Sequence, residues 1–397
     1  MPDFGSNISG RSDLARFLTR AMESSYEAFE SRKRADQERN LLKSYIIEVH
    51  IDGSEDPFGS GSDLLAKIAR QFDGSLDVTD DPSLLIMALP KQSAVFYVDQ
   101  LNPRFWSFHT LSKSEHADKL VTALIKTSPL MDRAWFPSRI LEDASRLGRF
   151  EGFGIKFDST IYQLDERNSL SETDESEWSP LNSRLISLSL KTPWGARSQL
   201  RKLRSAGVFP YASALSWVRV RAPKDMSDGF VLEDITYYGK FTARGSSFTD
   251  HQHLLATVRD RYEASIKRLE QSAAIGASRE KYGLRISGEP LVLAFPKPLR
   301  NLDEIIPRMF TSAEPYRFWG IPRLANRRLI RVHAVDLHVG QNLTLEITPE
   351  CIVAYLPQGT CGNTVTRLIS NVQHTLDPTV TIKGEENWLG QNPATLQ

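Results

Sequence analysis

Two kinds of hydrophobic pattern alternate along the chain. In Leu343–Ile347, apolar residues alternate with Thr344 and Glu346, which predicts a half-buried β-strand. A second strand is predicted over Cys351–Leu356. In Thr364–Thr375 the apolar residues recur at helical spacing, which predicts an amphipathic helix. Because a hairpin alone is only marginally stable in water, we expect this helix to cover one face of the strands.

The same order of elements (strand, helix, three strands, helix) is predicted three times. These patterns predict an α+β fold of three β-α-β-β-β-α modules, with antiparallel sheets covered by helices, after a long N-terminal helix. The predicted segments are the N-terminal helix (1–42), a first module (43–128), a connector with an acidic disordered loop (129–183), a second module (184–272), a third module (280–378) and a tail (379–397).

This order of elements is similar to the half-repeat of the TATA-binding-protein-like fold. In that fold a strand and a helix precede an antiparallel sheet and a second helix. The resemblance is one of topology, and we recognise no sequence motif of the family. It therefore implies an architecture and leaves the function open, because one fold serves several functions.

The composition indicates a soluble globular protein. Of 397 residues, 40% are hydrophobic and 25% are charged, and no run of about 18 apolar residues predicts a membrane span. The N-terminus lacks the basic start and apolar run of a secretory signal. The two cysteines, Cys351 and Cys361, have no CxxC spacing, which favours free thiols in a reducing compartment, with a disulfide between them as the alternative. We therefore predict a cytoplasmic protein.

Charge is distributed unevenly along the chain. The formal net charge of +0 argues against a protein that coats nucleic acid indiscriminately. However, residues 184–270 hold 15 Lys/Arg and 8 Asp/Glu, and residues 281–376 hold 11 and 7. Residues 43–127 hold 8 and 12. The second and third modules are therefore basic and the first is acidic, which indicates an electrostatic partner.

The basic residues of the second and third modules predict a nucleic-acid interface. On a predicted helix, basic side chains recur at i, i+4 and i+7, and on a predicted strand a tryptophan and two arginines point the same way. Such residues serve as phosphate clamps and as a stacking platform for bases. The alternative is that these charges are solvated or pair with the acidic first module. The predicted contact residues are Arg197, Arg201, Lys202, Arg204, Trp217, Arg219, Arg221, Arg328 and Arg331.

Catalytic signals are weak. The chain has no GxSxG, P-loop or GxGxxG motif, so we predict no catalytic residues, no cofactor and no metal. Asp250, His251 and His253 form the tightest histidine cluster, but residues two apart do not share a helix face. They are the first place to look if the protein is an enzyme.

The leading prediction is a non-enzymatic recognition protein that binds nucleic acid through its second and third modules. The alternative is a protein-interaction or scaffold subunit of a larger assembly, in which the acidic first module and the N-terminal helix bind partner chains. The oligomeric state is left open.

Overall fold

The computed structural model describes residues 8–30, 41–50, 61–162, 185–205, 209–222 and 229–389. Over these residues the protein is mixed α+β, with nine α-helices and two sheets, and its first helix is N-terminal. The predicted fold class is therefore confirmed. The predicted disordered loop at 164–180, residues 31–40 of the predicted first helix and the end of the tail lie outside the described residues.

The first part of the chain alternates helices with short strands. Its elements are α1 (Arg11–Glu30), β1 (Leu42–Val49), α2 (Gly61–Gln71), β2 (Ser75–Val78), β3 (Leu84–Leu89), β4 (Ala94–Asp99), β5 (Phe105–Thr110), α3 (Ser114–Lys126), β6 (Met131–Arg133), α4 (Ser138–Ala144), β7 (Arg149–Asp158), β8 (Leu185–Lys191), α5 (Ala196–Ser205), β9 (Leu215–Arg221), β10 (Val231–Thr236), β11 (Lys240–Gly245) and α6 (Phe248–Ala273).

The remainder is richer in strands. Its elements are β12 (Ala274–Glu280), β13 (Gly283–Ser287), β14 (Leu291–Ala294), α7 (Leu302–Met309), β15 (Phe318–Asn326), β16 (Leu329–Asp336), β17 (Asn342–Ile347), β18 (Cys351–Pro357), α8 (Gly362–Asn371) with a π-helical turn (Val372–Leu376), β19 (Thr381–Lys383) and α9 (Glu385–Leu389).

The chain divides into two compact units. Unit 1 comprises Met1–Ala134, Glu142–Glu151 and Trp217–Asp260, and unit 2 comprises Trp135–Leu141, Gly152–Ser216 and Arg261–Gln397. The boundary therefore falls inside four elements, namely α4, β7, β9 and α6.

Unit 1 contains an antiparallel sheet with strand order β2-β3-β4-β5-β1-β11-β10-β9, with β6 against β1. Residues of the central strand β1 contribute to two apolar layers, one on each face of the sheet. Tyr45 and Ile47 belong to the layer that includes residues of α2 and α3. Leu42 belongs to the layer with Leu14 of α1 and Phe248 of α6. Helices thus pack against both faces of this sheet.

Unit 2 contains the second sheet, with strand order β13-β12-β18-β17-β16-β15 and with β14 between β18 and β19. It also holds the antiparallel pair β7–β8 over Gly152–Asp158. The apolar core of the second sheet includes alternate residues of β16, β17 and β18, together with α7 and α8. The predicted strands at 343–347 and 351–356 and the helix after them are confirmed.

The three predicted modules do not form three separate sheets. In the second segment the order β8-α5-β9-β10-β11-α6 is as predicted, but β11 pairs with β1 of the first segment. In this antiparallel pair, Leu42 lies opposite Ala243 and Ser44 lies opposite Phe241. Hydrogen bonding between distant segments leaves no local signal in sequence, so the sharing of one sheet was not predictable. The boundaries of the predicted domains themselves stay a prediction.

Two composition-based expectations can be compared with the structure. Cys351 and Cys361 are both free thiols, as predicted. Among the helices of the described residues, none combines the length and apolarity needed to cross a membrane.

Candidate functional site

The four strands β15–β18 form an antiparallel meander with one covered and one exposed face. Even-numbered residues of β16, such as Val332, are buried in the core with residues of α7 and α8. Odd-numbered residues such as Arg331 and His333 are exposed. Because successive side chains of a strand point to opposite faces, one set of residues from all four strands lies on the exposed side. We call this side the open face.

The strand register arranges the open face in three rows. Cross-strand partners lie on the same side of a sheet. The first row is Arg323, Arg331, Glu346 and Val353; the second is Ile321, His333, Thr344 and Tyr355; the third is Trp319, Val335 and Asn342.

The second and third rows offer aromatic and apolar surface. Trp319 is 52% exposed and Ile321 is 61% exposed. His333 is exposed, with its Nδ1 3.1 Å from Thr344 Oγ1, and Tyr355 is half-buried. The Tyr355 hydroxyl donates to Glu346 Oε2 at 3.1 Å, which fixes its ring on the face. Exposed aromatic side chains grouped on one sheet mark a surface for interaction.

The first row and the β15–β16 turn hold the charges. Arg331 donates to Glu346 through Nε at 3.0 Å and Nη2 at 2.5 Å, and these bonds hold the pKa of Glu346 below its usual range. Arg328 pairs with Glu350. Arg323 and Arg327 are exposed and make no ion pair within the part of the chain that the structure describes. Among the described residues, the charges of Arg323 and Arg327 at this end of the face are therefore not compensated by a carboxylate.

A ribbon of β12 and β13 extends the open face. Ile275 of β12 lies beside Pro357 of β18, and Ala277 lies opposite Ile286 of β13. Alternation then places Leu284 and Ile286 on the open side. They are 67% and 66% exposed, and Tyr282 in the ribbon turn is 91% exposed.

The predicted contact residues fall into three groups. On α5, in unit 2, Arg197, Arg201 and Lys202 are exposed, whereas the half-buried Arg204 donates through Nε to the carbonyl of Ala212 at 3.0 Å. Arg201 and Lys202 have no ion pair among the described residues. The predicted basic stripe is therefore present on the helix surface, with Arg204 bound to backbone.

The second group lies on β9 in unit 1, where its arginines are bound by carboxylates. Arg219 donates to both carboxylate oxygens of Asp234, through Nε at 2.6 Å and Nη2 at 2.8 Å, and Arg244 donates to the same carboxylate through Nη1 at 2.7 Å. Burial opposes ionisation of Asp234, yet these arginines lower the pKa of this carboxyl group. Arg221 pairs with Glu151 at 2.8 Å.

Trp217 lies beside Arg219, whose guanidinium carbon is 5.8 Å from the indole centroid. The stacking platform predicted on β9 thus carries less free positive charge than its sequence indicates, because the carboxylates come from other strands. The third group, Arg328 and Arg331, lies on β16 and its preceding turn, where both arginines are paired as described above.

The histidine cluster is separated by the fold. His251 is buried and His253 is exposed, so the two do not converge on one ligand. His251 Nδ1 lies 2.5 Å from Glu233 Oε1, and its Nε2 lies 2.7 Å from Ser44 Oγ. Ser44 Oγ is also 2.6 Å from His109 Nδ1. Sequence reasoning missed Ser44, His109 and Glu233, because they reach His251 from three separate strands.

This buried network has the distances of a serine–histidine–acid triad, but Ser44 also contacts a second histidine, His109. Burial lowers the pKa of His109 to about 3 and keeps its ring neutral. A nucleophilic serine must reach its substrate, whereas the Ser44 side chain is fully buried. We therefore interpret the network as a link between β1, β5, β10 and α6.

Trp319 and Ile321 were missed as site residues because β15 was not predicted. Pro322 interrupts their alternating pattern, and proline argues against a central strand. Here β15 is an edge strand, where proline is tolerated. The alternation of Trp319, Ile321 and Arg323 was the signal that could have revealed the face.

These features define an α+β protein whose second sheet is covered by helices on one face and exposes aromatic, apolar and basic residues on the other. The chain belongs to the family of MJECL33-like proteins, whose family model matches residues 3–389. It is 29% identical over 406 aligned positions to "Uncharacterized protein MJECL33" of Methanocaldococcus jannaschii, and the alignment covers 96% of this chain and 95% of that protein. No solved structure matches the chain.

Proposed function

We propose that this protein binds nucleic acid through the open face of unit 2. The observation that carries the proposal is the union, on one exposed sheet face, of the Trp319, His333 and Tyr355 rings with Arg323 and the neighbouring Arg327. Aromatic rings stack on bases irrespective of sequence, and guanidinium groups bind phosphates. The same free thiols that favour a reducing compartment support a cytoplasmic location.

Helix α5 supplies a second basic surface in the same unit. Four of its ten residues are basic and none is acidic. Arg201 and Lys202 point to solvent with no ion pair in the described chain, so a phosphate displaces water and counterions there rather than a carboxylate. In this proposal the open face contributes both stacking and charge, and α5 contributes charge alone.

The test is fluorescence anisotropy with labelled single- and double-stranded DNA and RNA over a salt series. Three double variants are compared, each reversing two charges: Arg323→Glu/Arg327→Glu on the open face, Arg201→Glu/Lys202→Glu on α5, and Lys67→Glu/Arg70→Glu on α2 as a matched control in unit 1. We expect affinity in the micromolar range or tighter that weakens with salt, the greatest loss in the open-face variant and no change in the control.

Equal losses in all three variants would indicate non-specific attraction by net charge and would contradict a site on the open face. No binding of any nucleic acid by the folded protein would remove the proposal.

A second candidate function is recognition of a partner protein. The specific observation is the apolar surface of the β12–β13 ribbon, where Tyr282, Leu284 and Ile286 are 91%, 67% and 66% exposed. Contiguous exposed apolar residues mark protein interfaces, and aromatic and arginine side chains are enriched in their centres. Salt-independent association with a protein, in the absence of nucleic-acid binding, would favour this function.

A further inference from the structure

We infer that the ligand of the open face is single-stranded nucleic acid, held by stacking of unpaired bases on the Trp319, His333 and Tyr355 rings. This inference rests on the proposed function and adds the class of substrate.

The width of the open face argues against entry into a duplex groove. Neighbouring strands lie about 4.8 Å apart, so β15 and β18 are separated by about 14 Å before their side chains are counted. The major groove of B-DNA is about 12 Å wide and admits a helix or a two-stranded ribbon. The four adjacent strands β15–β18, in a sheet covered by helices on one face, cannot enter this groove as a whole.

The chemistry of the face matches unpaired bases. Trp319 and His333 lie on neighbouring strands one row apart, and His333 and Tyr355 lie in one row with a single strand between them. Three rings so placed offer stacking positions for two or three bases, as do the aromatic residues of four-stranded sheets that bind single-stranded RNA. In a duplex these base faces are occupied by neighbouring bases, so the rings have nothing to stack on without unstacking the helix.

The position of the charges orients the strand. In the first row Arg331 is paired with Glu346, so the free charges are those of Arg323 at the end of this row and Arg327 in the turn beyond it, whereas Trp319 lies two rows away. We place the phosphate backbone at Arg323 and the turn that holds Arg327, with bases directed towards Trp319 and Tyr355. Because few phosphates are contacted, the salt dependence is shallow, with a slope of about −0.7 per phosphate for a single strand.

The test compares a labelled 12-nucleotide single strand with the duplex of the same sequence, for the intact protein and three variants. Trp319→Ala removes the ring, and Trp319→Phe keeps an aromatic face. Leu324→Ala is the matched control, because Leu324 lies on the same strand, is 69% exposed and points to the opposite side.

We expect the single strand to bind at least tenfold more tightly than the duplex. Trp319→Ala should lower its affinity about 5- to 150-fold, the range that corresponds to the measured worth of one base–aromatic stack. Trp319→Phe should recover most of the affinity, and Leu324→Ala should leave it unchanged.

Two failures have different meanings. Equal or tighter binding of the duplex, or full affinity in Trp319→Ala, would overturn the single-strand inference while leaving nucleic-acid binding in place. Absence of binding to either form would overturn the proposed function together with this inference.

Discussion

Removing one partner of the buried ion pair between Arg367 and Asp336 should destabilise unit 2 strongly. Neither side chain is exposed to solvent. Arg367 extends from α8, donates through Nε to the carbonyl of Tyr316 at 2.9 Å and lies over the Phe318 ring, 5.2 Å from its centroid. Asp336 also accepts hydrogen bonds from the Thr364 hydroxyl and, at 3.1 Å, from the amide of His338. The pair thus fixes α8 to the beginning of β15 and the end of β16.

The expected magnitude follows from burial. Asp336→Asn keeps the shape of the side chain but leaves a guanidinium ion in the core without a counter-charge, which costs about 3–5 kcal/mol. For a unit of this size each kcal/mol lowers the melting temperature by about 2–4 °C, so we expect a fall of about 6–20 °C. Arg367→Met in the Asp336→Asn background removes the orphaned charge, and the double variant should be more stable than the sum of the single losses implies.

Differential scanning calorimetry measures the shift, and hydrogen exchange of peptides from β15 and β16 assigns it to unit 2. A fall below about 2 °C in Asp336→Asn, or strict additivity in the double variant, would contradict this expectation, since an uncompensated buried charge destabilises a protein by several kcal/mol.

Three further predictions concern other parts of the fold. Burial lowers the pKa of His109 to about 3 and that of His374 to about 4, so on acidification these histidines are protonated in the unfolded chain before they are protonated in the folded protein. Thermal stability should therefore fall as the pH drops from about 6.5 towards 4. In the His109→Gln variant, the melting temperature measured by calorimetry should depend less steeply on pH. Gly245 has φ +142°, and an added Cβ would lie 2.0 Å from the carbonyl oxygen of Phe230, whereas Gly340 has φ +67° and open space around it. Gly245→Ala should therefore lower the melting temperature far more than Gly340→Ala, and equal losses would contradict this expectation. Ser44→Ala removes the shared partner of His109 and His251 and should cost about 1–3 kcal/mol in urea unfolding, whereas an unchanged midpoint would show that the network contributes nothing to stability.

Local patterns in the sequence predicted much of the fold. The alternation in Leu343–Ile347 and the helical spacing after Gly362 are each set by a few neighbouring residues, and both elements are present. The N-terminal helix and the α+β class followed from the same reasoning. What local pattern could not reveal was which strands pair, because β1 and β11 are joined by hydrogen bonds between residues about 200 positions apart.

The candidate site was predicted less completely, for physical reasons that differ between residues. Arg219 has a side chain that could bind phosphate, but Asp234 from the neighbouring strand binds its guanidinium group. Trp319 gave a weak signal because Pro322 breaks its strand pattern, although proline is acceptable at a sheet edge. The residue types in the sequence therefore indicated which arginines and lysines could bind phosphate. Only the strand register showed which of these side chains share a sheet face with aromatic rings.

Ultraviolet cross-linking of a bound oligonucleotide, followed by mass spectrometry of the cross-linked peptides, would locate the bound strand on the protein directly. We expect cross-links concentrated in Phe318–Asp336 and Cys351–Pro357, at or beside Trp319 and Tyr355, and their loss in the Arg323→Glu/Arg327→Glu variant. Cross-links confined to other segments, with none on the open face, would contradict binding of nucleic acid at this face.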